Sequence, residues 1–115
     1  MNNYLVLYLA PASMMEEWKK TPPEKRKIAE EKMRKDWKTW TSQHAKMFAD
    51  MGAGAGKTKR VTAQGAADTK NDIMMYAIVN AESQDAAAKL FSGHPHLQFP
   101  KTSIEIMELH KLPGM

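Results

Sequence analysis

Residues 4–9, Tyr4-Leu5-Val6-Leu7-Tyr8-Leu9, and residues 73–79, Ile73-Met74-Met75-Tyr76-Ala77-Ile78-Val79, are apolar at every position. Successive side chains of a strand point to opposite faces, so a short unbroken apolar run is buried front and back. Their aromatic and β-branched content argues for strands, and their double-sided apolarity for the middle of a sheet. The segments around these two runs have to supply the sheet's edges and its cover.

After the first run comes Pro11, and Ser13 to Trp18 suggests a short helical turn. Thr21-Pro22-Pro23-Glu24 then opens a helix: Thr21 can cap it, proline is tolerated in the first turn, and Glu24 holds the capping-box position. The stripe Ala29, Met33, Trp37, Trp40, His44, Met47, Met51 recurs by threes and fours and predicts one long helix reaching Met51. Gly52 and Gly54 are read as the glycines that end it. Gly56 to Thr62 reads as a polar strand and Gln64 to Asp72 as turn chemistry. Following the second apolar run, Ser83 caps a helix over Gln84 to Phe91. Ala86-Ala87-Ala88 lets it approach the sheet, Leu90 and Phe91 anchor it, and Gly93 stops it. Ser103 to Leu109 is the last strand.

The resulting order is β-α-β-β-α-β in a single domain spanning residues 1–115. Right-handed crossovers restrict this order to few arrangements, of which the split βαβ, a ferredoxin-like antiparallel sheet ordered 4-1-3-2, is the usual one. It makes strands one and three central, and these are the two apolar runs. It makes strand two an edge, where Lys57, Lys59 and Arg60 would deter unwanted pairing. With both helices on one face, the other presents either Tyr4/Val6/Tyr8 or Leu5/Leu7/Leu9, and half of residues 73–79. A second copy of the chain is the simplest cover for so apolar a surface, which predicts a homodimer through the sheet face opposite the helices.

Composition narrows the functional classes. The 115 residues are 43% hydrophobic and 26% charged, an ordinary globular balance. The chain has no cysteine, which removes thiolate nucleophiles, disulfides and Cys-ligated metals and agrees with a cytoplasmic setting. Residues 4–12 are apolar, but Asn2 and Asn3 stand where a basic leader would begin. The run is also far shorter than the roughly 20 residues that cross a bilayer, so no membrane association is expected. Seventeen basic against 13 acidic residues give a net charge of +4, and Lys57-Thr58-Lys59-Arg60 contains no aromatic to stack a base. No nucleic-acid partner is expected on that evidence.

Gly52-Ala53-Gly54-Ala55-Gly56-Lys57-Thr58 imitates a phosphate loop and fails as one. Met51 stands where the first glycine is required, and the segment leads from helix to strand instead of strand to helix. His94-Pro95-His96 is the most chemical segment: in extended chain its two imidazoles share one side. A third ligand is wanting, with His44 and His110 both placed far away, so no metal site is expected. As a proton-transfer site the segment has better company. The fold gathers His94, His96, Tyr8, Trp18, Asp68 and Asp72 at one rim, where His94 and His96 with Asp72 could act as general acid and base. Tyr8, Trp18, Trp40 and His44 are candidate ligand-binding residues, and ten methionines could line an adaptable apolar pocket. Against these readings stand bland ones: a shaped turn at His94-Pro95, a core histidine at 44 and methionine as core filler.

Tyr-Leu-Val-Leu-Tyr at residues 4–8, together with Gly-His-Pro-His-Leu-Gln-Phe-Pro at 93–100 leading into Ser-Ile-Glu-Ile-Met-Glu-Leu, resembles the YCII-related (DGPF-like) proteins of the dimeric α/β-barrel superfamily. The resemblance implies the same ferredoxin-like dimer with a pocket between sheet and helices. The family's catalytic His–Asp pair does not carry over, because His94 replaces the aspartate of its Asp-Pro-Phe motif and the Asp-Gly-Pro-Phe tetrapeptide is missing. Two functional readings follow: a small-molecule pocket whose histidines do acid–base chemistry, and a non-catalytic ligand-binding or structural dimeric module. The sequence selects no cofactor.

Overall fold

The computed structural model describes residues 2–114. The chain is mixed α and β, with an antiparallel four-stranded sheet and three α-helices. Strand β1 (Asn2–Leu9) leads through α1 (Ala12–Lys20) into α2 (Pro23–Gln43). A 3-10 turn (Ala45–Met47) follows, then β2 (Phe48–Gly54), β3 (Thr58–Thr62), β4 (Gly65–Thr69) and β5 (Ile73–Ala81). Helix α3 (Gln84–Phe91), a 3-10 turn (Pro95–Gln98) and β6 (Ser103–Glu108) complete it. The sheet order is β2-β5-β1-β6, so the two wholly apolar runs are its central pair.

The core lies between the sheet and helices α2 and α3. Tyr4, Val6 and Tyr8 of β1 and Ala77, Val79 and Ala81 of β5 face inward and pack with Trp40 of α2 and with Ala87 and Phe91 of α3. Residues across the central pair match in register, Tyr4 with Val79 and Val6 with Ala77, so each pair buries its side chains on the same face. Ala87 is buried and brings α3 close to the sheet, with Ser83 Oγ accepting the Ala86 N–H at 3.1 Å as its N-cap. Phe91 anchors the helix, whereas Leu90, expected as a second anchor, is 40% exposed: the two are 100° apart around the helix and only one can point at the sheet.

The other face carries Leu5, Leu7 and Leu9 beside Tyr76, Ile78 and Met107, in register across β1, β5 and β6. No helix covers it. The molecule is accordingly a slab, 53 × 44 × 19 Å.

The structure corrects the expected helix to Met51. Helix α2 stops at Gln43, and His44 performs the termination expected of Gly52 and Gly54. The His44 Nδ1–H donates to the Trp40 carbonyl at 2.8 Å and its backbone N–H reaches Trp40 and Thr41, satisfying carbonyls orphaned at a helix end. The spacing of Met47 and Met51 imitates a helical stripe, but residues 48–54 pair with β5 instead, Phe48 opposite Val79 and Gly54 opposite Met75. A central strand has two edges to satisfy, and that pairing outweighs the poor strand propensity of Asp50, Gly52 and Gly54.

Consequently the expected second strand, Gly56 to Thr62, is not in the sheet. Thr58–Thr62 pairs with Gly65–Thr69, in a segment assigned to turns, to form a separate hairpin. Its basic residues answer its own acid: Asp68 takes Lys59 at 2.8 Å and Lys57 at 3.9 Å. The hairpin projects, and the radius of gyration is 16.3 Å against about 13 Å for a compact chain of this length. No helix among the described residues is long and apolar enough to cross a membrane.

Candidate functional site

Beyond the C-terminal end of β1, a cleft of about 630 Å³ opens between the sheet, α1 and the middle of α2. Its construction follows from two helical periodicities. Met33 and Trp37, four residues apart on α2, face it from above, and Tyr8 of β1 and Met75 of β5, directly paired across the sheet, form its floor. Met15 and Trp18 of α1 close one side, where the Trp18 ring meets Phe99 edge-on at 5.2 Å. The Trp18 Nε1–H donates to Glu30 Oε1 at 3.2 Å, which ties α1 to α2.

The segment His94-Pro95-His96 is not extended as expected. Pro95 starts a 3-10 turn, with His94 Nδ1 accepting the His96 backbone N–H at 2.9 Å, and the two imidazoles go different ways. The Thr102 hydroxyl holds the turn through the carbonyls of His96 and Phe99, and Gln98 fastens it to Asp36 of α2 at 3.0 Å.

His96 reaches the cleft wall. Its Nε2–H donates to the Leu9 carbonyl at 2.9 Å. Burial lowers its pKa, against the opposing pull of the Leu9 and Ser103 backbone carbonyls. Tyr8 also faces the cleft, its ring 5.6 Å from that of His96, and burial raises its phenol so that the group remains a hydrogen-bond donor.

His94 lies behind the wall. It is 2% exposed, with its ring centre 4.3 Å from Trp37, 4.4 Å from Trp40 and 5.1 Å from Tyr8, and it stacks on Phe91 at 5.8 Å. Since Nδ1 accepts, the ring proton sits on Nε2, which has no hydrogen-bond partner. Burial drives its pKa down to about 4, with smaller contributions from His96 and His44. A neutral imidazole sealed among four aromatic rings braces the site without touching a ligand in the cleft.

The remaining sequence-predicted residues are divided. Trp18 lies in the cleft. Trp40 is a core residue, with His44 stacked on it at 4.3 Å, and both border a shallow depression on the far side of His94. His44, expected far from this segment, is separated from His94 by one aromatic ring, that of Trp40, which neighbours both. Asp68 and Asp72 open on a neighbouring cleft at the hairpin's base, so the structure does not bring Asp72 to either histidine. Among the described residues no three His, Cys, Asp or Glu side chains gather as metal ligands.

Sequence reasoning missed Met33, Met75 and Phe99 as specific lining residues, and with them Glu30, Arg34 and Lys38, the charged side chains at the rim. The spacing of these last three by four was visible as one stripe of α2 beside Met33 and Trp37, but nothing local marked that stripe as facing a cavity. No known protein family matches the chain, and no curated protein sequence is significantly similar to it.

Proposed function

We propose that this protein is a cytoplasmic homodimer of ferredoxin-like subunits, related to the YCII-like proteins, that binds a small molecule by its apolar body in the cleft between α1, α2 and the ends of β1 and β5. The observation that carries this reading is the cleft's wall. Tyr8, Trp18, Trp37 and Phe99 supply flat aromatic surface, Met15, Met33, Met74 and Met75 supply adaptable surface, and His96 adds one polar group from the side. A few hundred cubic ångströms of apolar wall with a few convergent polar groups is what drug-sized ligands need.

N-phenyl-1-naphthylamine, a neutral fluorescent probe, should bind with quenching of tryptophan emission. Met33→Trp, which fills the cleft from α2, should weaken that binding about tenfold, an affinity change of about 1.4 kcal/mol. Met15→Trp fills it from α1 and should do the same. Unchanged probe affinity in both variants, each with a wild-type urea midpoint, would remove the cleft from consideration.

The open sheet face supports the dimer: Leu5, Leu7, Leu9, Tyr76, Ile78 and Met107 lie together on it, with Glu105 beside Leu7, and no helix among the described residues covers it. The ferredoxin-like assignment is supported by the sheet order and treats β3–β4 as an added hairpin. In sedimentation at micromolar concentration the wild type should run at twice the chain mass and Leu7→Lys as a single chain. A wild-type monomer rejects the assembly. A second reading, acid–base catalysis, rests on His96: it is a neutral imidazole on the cleft wall with the Tyr8 phenol as a neighbouring donor.

A further inference from the structure

We infer that the ligand of this cleft is a planar aromatic anion, its rings held between the aromatic and methionine walls and its negative group held at the rim by Arg34 and Lys38. The inference rests on the proposed reading of the cleft as a binding site and adds the chemical class of its occupant.

Arg34 and Lys38 lie four residues apart on α2, one turn of helix, and both border the cleft. Among the described residues neither takes part in an ion pair. Most lysines are likewise unpaired among the described residues, and what sets Arg34 and Lys38 apart is that both border the aromatic cleft. Glu30, one turn before Arg34, is the carboxylate expected to neutralise it. Its Oε1 instead accepts the Trp18 Nε1–H. The indole N–H leaves Glu30 its charge, so the stripe along the cleft mouth carries one anion and two cations, a net charge of +1 with the positive pair at the Arg34–Lys38 end, while the lining holds no other charged side chain.

Arginine presents a planar fork of donors suited to a carboxylate, sulfonate or phenolate, and lysine adds a second positive charge one turn on. The interior complements the other end of such a molecule. Trp18 and Phe99 meet edge-on, Trp37 and Tyr8 are tilted by 36° with centres 5.4 Å apart, and methionines fill between them. Flat rings match these surfaces better than a branched aliphatic body does. A cationic ligand would meet a mouth of net positive charge, and a neutral one would leave Arg34 and Lys38 unused.

Two probes that share a ring system separate this inference from the reading beneath it. One is neutral N-phenyl-1-naphthylamine and the other its sulfonate, 8-anilinonaphthalene-1-sulfonate. In the Arg34→Gln, Lys38→Gln double variant at low ionic strength, the sulfonate should bind about tenfold more weakly while the neutral probe binds as before. Salt should weaken the sulfonate in the wild type and much less in the variant. Equal changes for both probes, or an unaltered sulfonate affinity, overturn the anion. Should neither probe respond to Met33→Trp or Met15→Trp, the cleft itself is not the site and the inference fails with it. Wild-type urea midpoints for every variant keep loss of fold from imitating loss of charge.

Discussion

Lowering the pH from 7 to 4 should remove about 3 kcal/mol of folding stability through His94 alone. Folding seals this imidazole among Tyr8, Trp37, Trp40 and Phe91 and depresses its pKa from 6.5 to about 4. Between those values the unfolded chain takes up a proton that the folded chain refuses. The contribution is therefore whole above pH 6.5 and drains away as the pH falls toward 4. His96, also depressed by burial, adds in the same direction. Urea unfolding of wild type and His94→Phe at pH 7, 5.5 and 4 measures the effect. Phenylalanine keeps the ring, removes the unpartnered Nε2–H and forfeits the acceptor for the His96 N–H, two changes of opposite sign at neutral pH. The variant's stability should then fall with acid by about 3 kcal/mol less than the wild type's. Parallel curves would show that His94 is not the acid-labile group and that its cage is open to water.

Gly52→Ala should destabilise the protein by about 3 kcal/mol or more and loosen β2 from the sheet. Gly52 has φ +74°, a left-handed conformation that costs an L side chain about 1–2 kcal/mol. The residue sits in a bulge, where the register with β5 shifts between Asp50 and Ala53 and the Gly52 N–H turns to Asp50 Oδ1 at 2.8 Å. A Cβ there would fall on the Tyr76 carbonyl oxygen of β5, main chain that cannot step aside without moving the central strand. Hydrogen exchange should show residues 48–54 and the outer edge of β5 losing protection while β1 and β6 keep theirs. Gly56→Ala is the control: nothing lies within 4 Å of a Cβ at that position, and its effect should be under about 0.5 kcal/mol. Equal effects at the two glycines would mean that the bulge does not exist as described.

Both outcomes depend on features of very different visibility in the sequence. His94-Pro95-His96 announced itself by composition, yet its roles were set by position. Once Pro95 began a tight turn, only one imidazole could look outward, and the other was left for the space between Trp37 and Phe91. The Asp72 partnership fails although its backbone carbonyl accepts the Ala10 N–H at 2.8 Å, because the residue lines the neighbouring cleft at the hairpin's base. Met47, Met51, Gly52 and Gly54 misled because spacing by four and terminal glycines are common to a capped helix and to a bulged edge strand. Only the open hydrogen-bonding edge of β5 distinguishes them.

By itself the sequence determined what depends on local physics. Two runs apolar on both faces had to be central, Ser83 had to cap α3, and the stripe from Ala29 to His44 had to turn one side of α2 inward, where Trp40 joins the core and Met33 and Trp37 wall the cleft. The tertiary structure alone decided which segment filled the edge of the sheet and which histidine met the cleft. It also decided that Glu30, Arg34 and Lys38 border a cavity and not open water. These are matters of where separate elements leave space between them, and a gap between packed surfaces is a property of their arrangement that no single stretch of chain encodes.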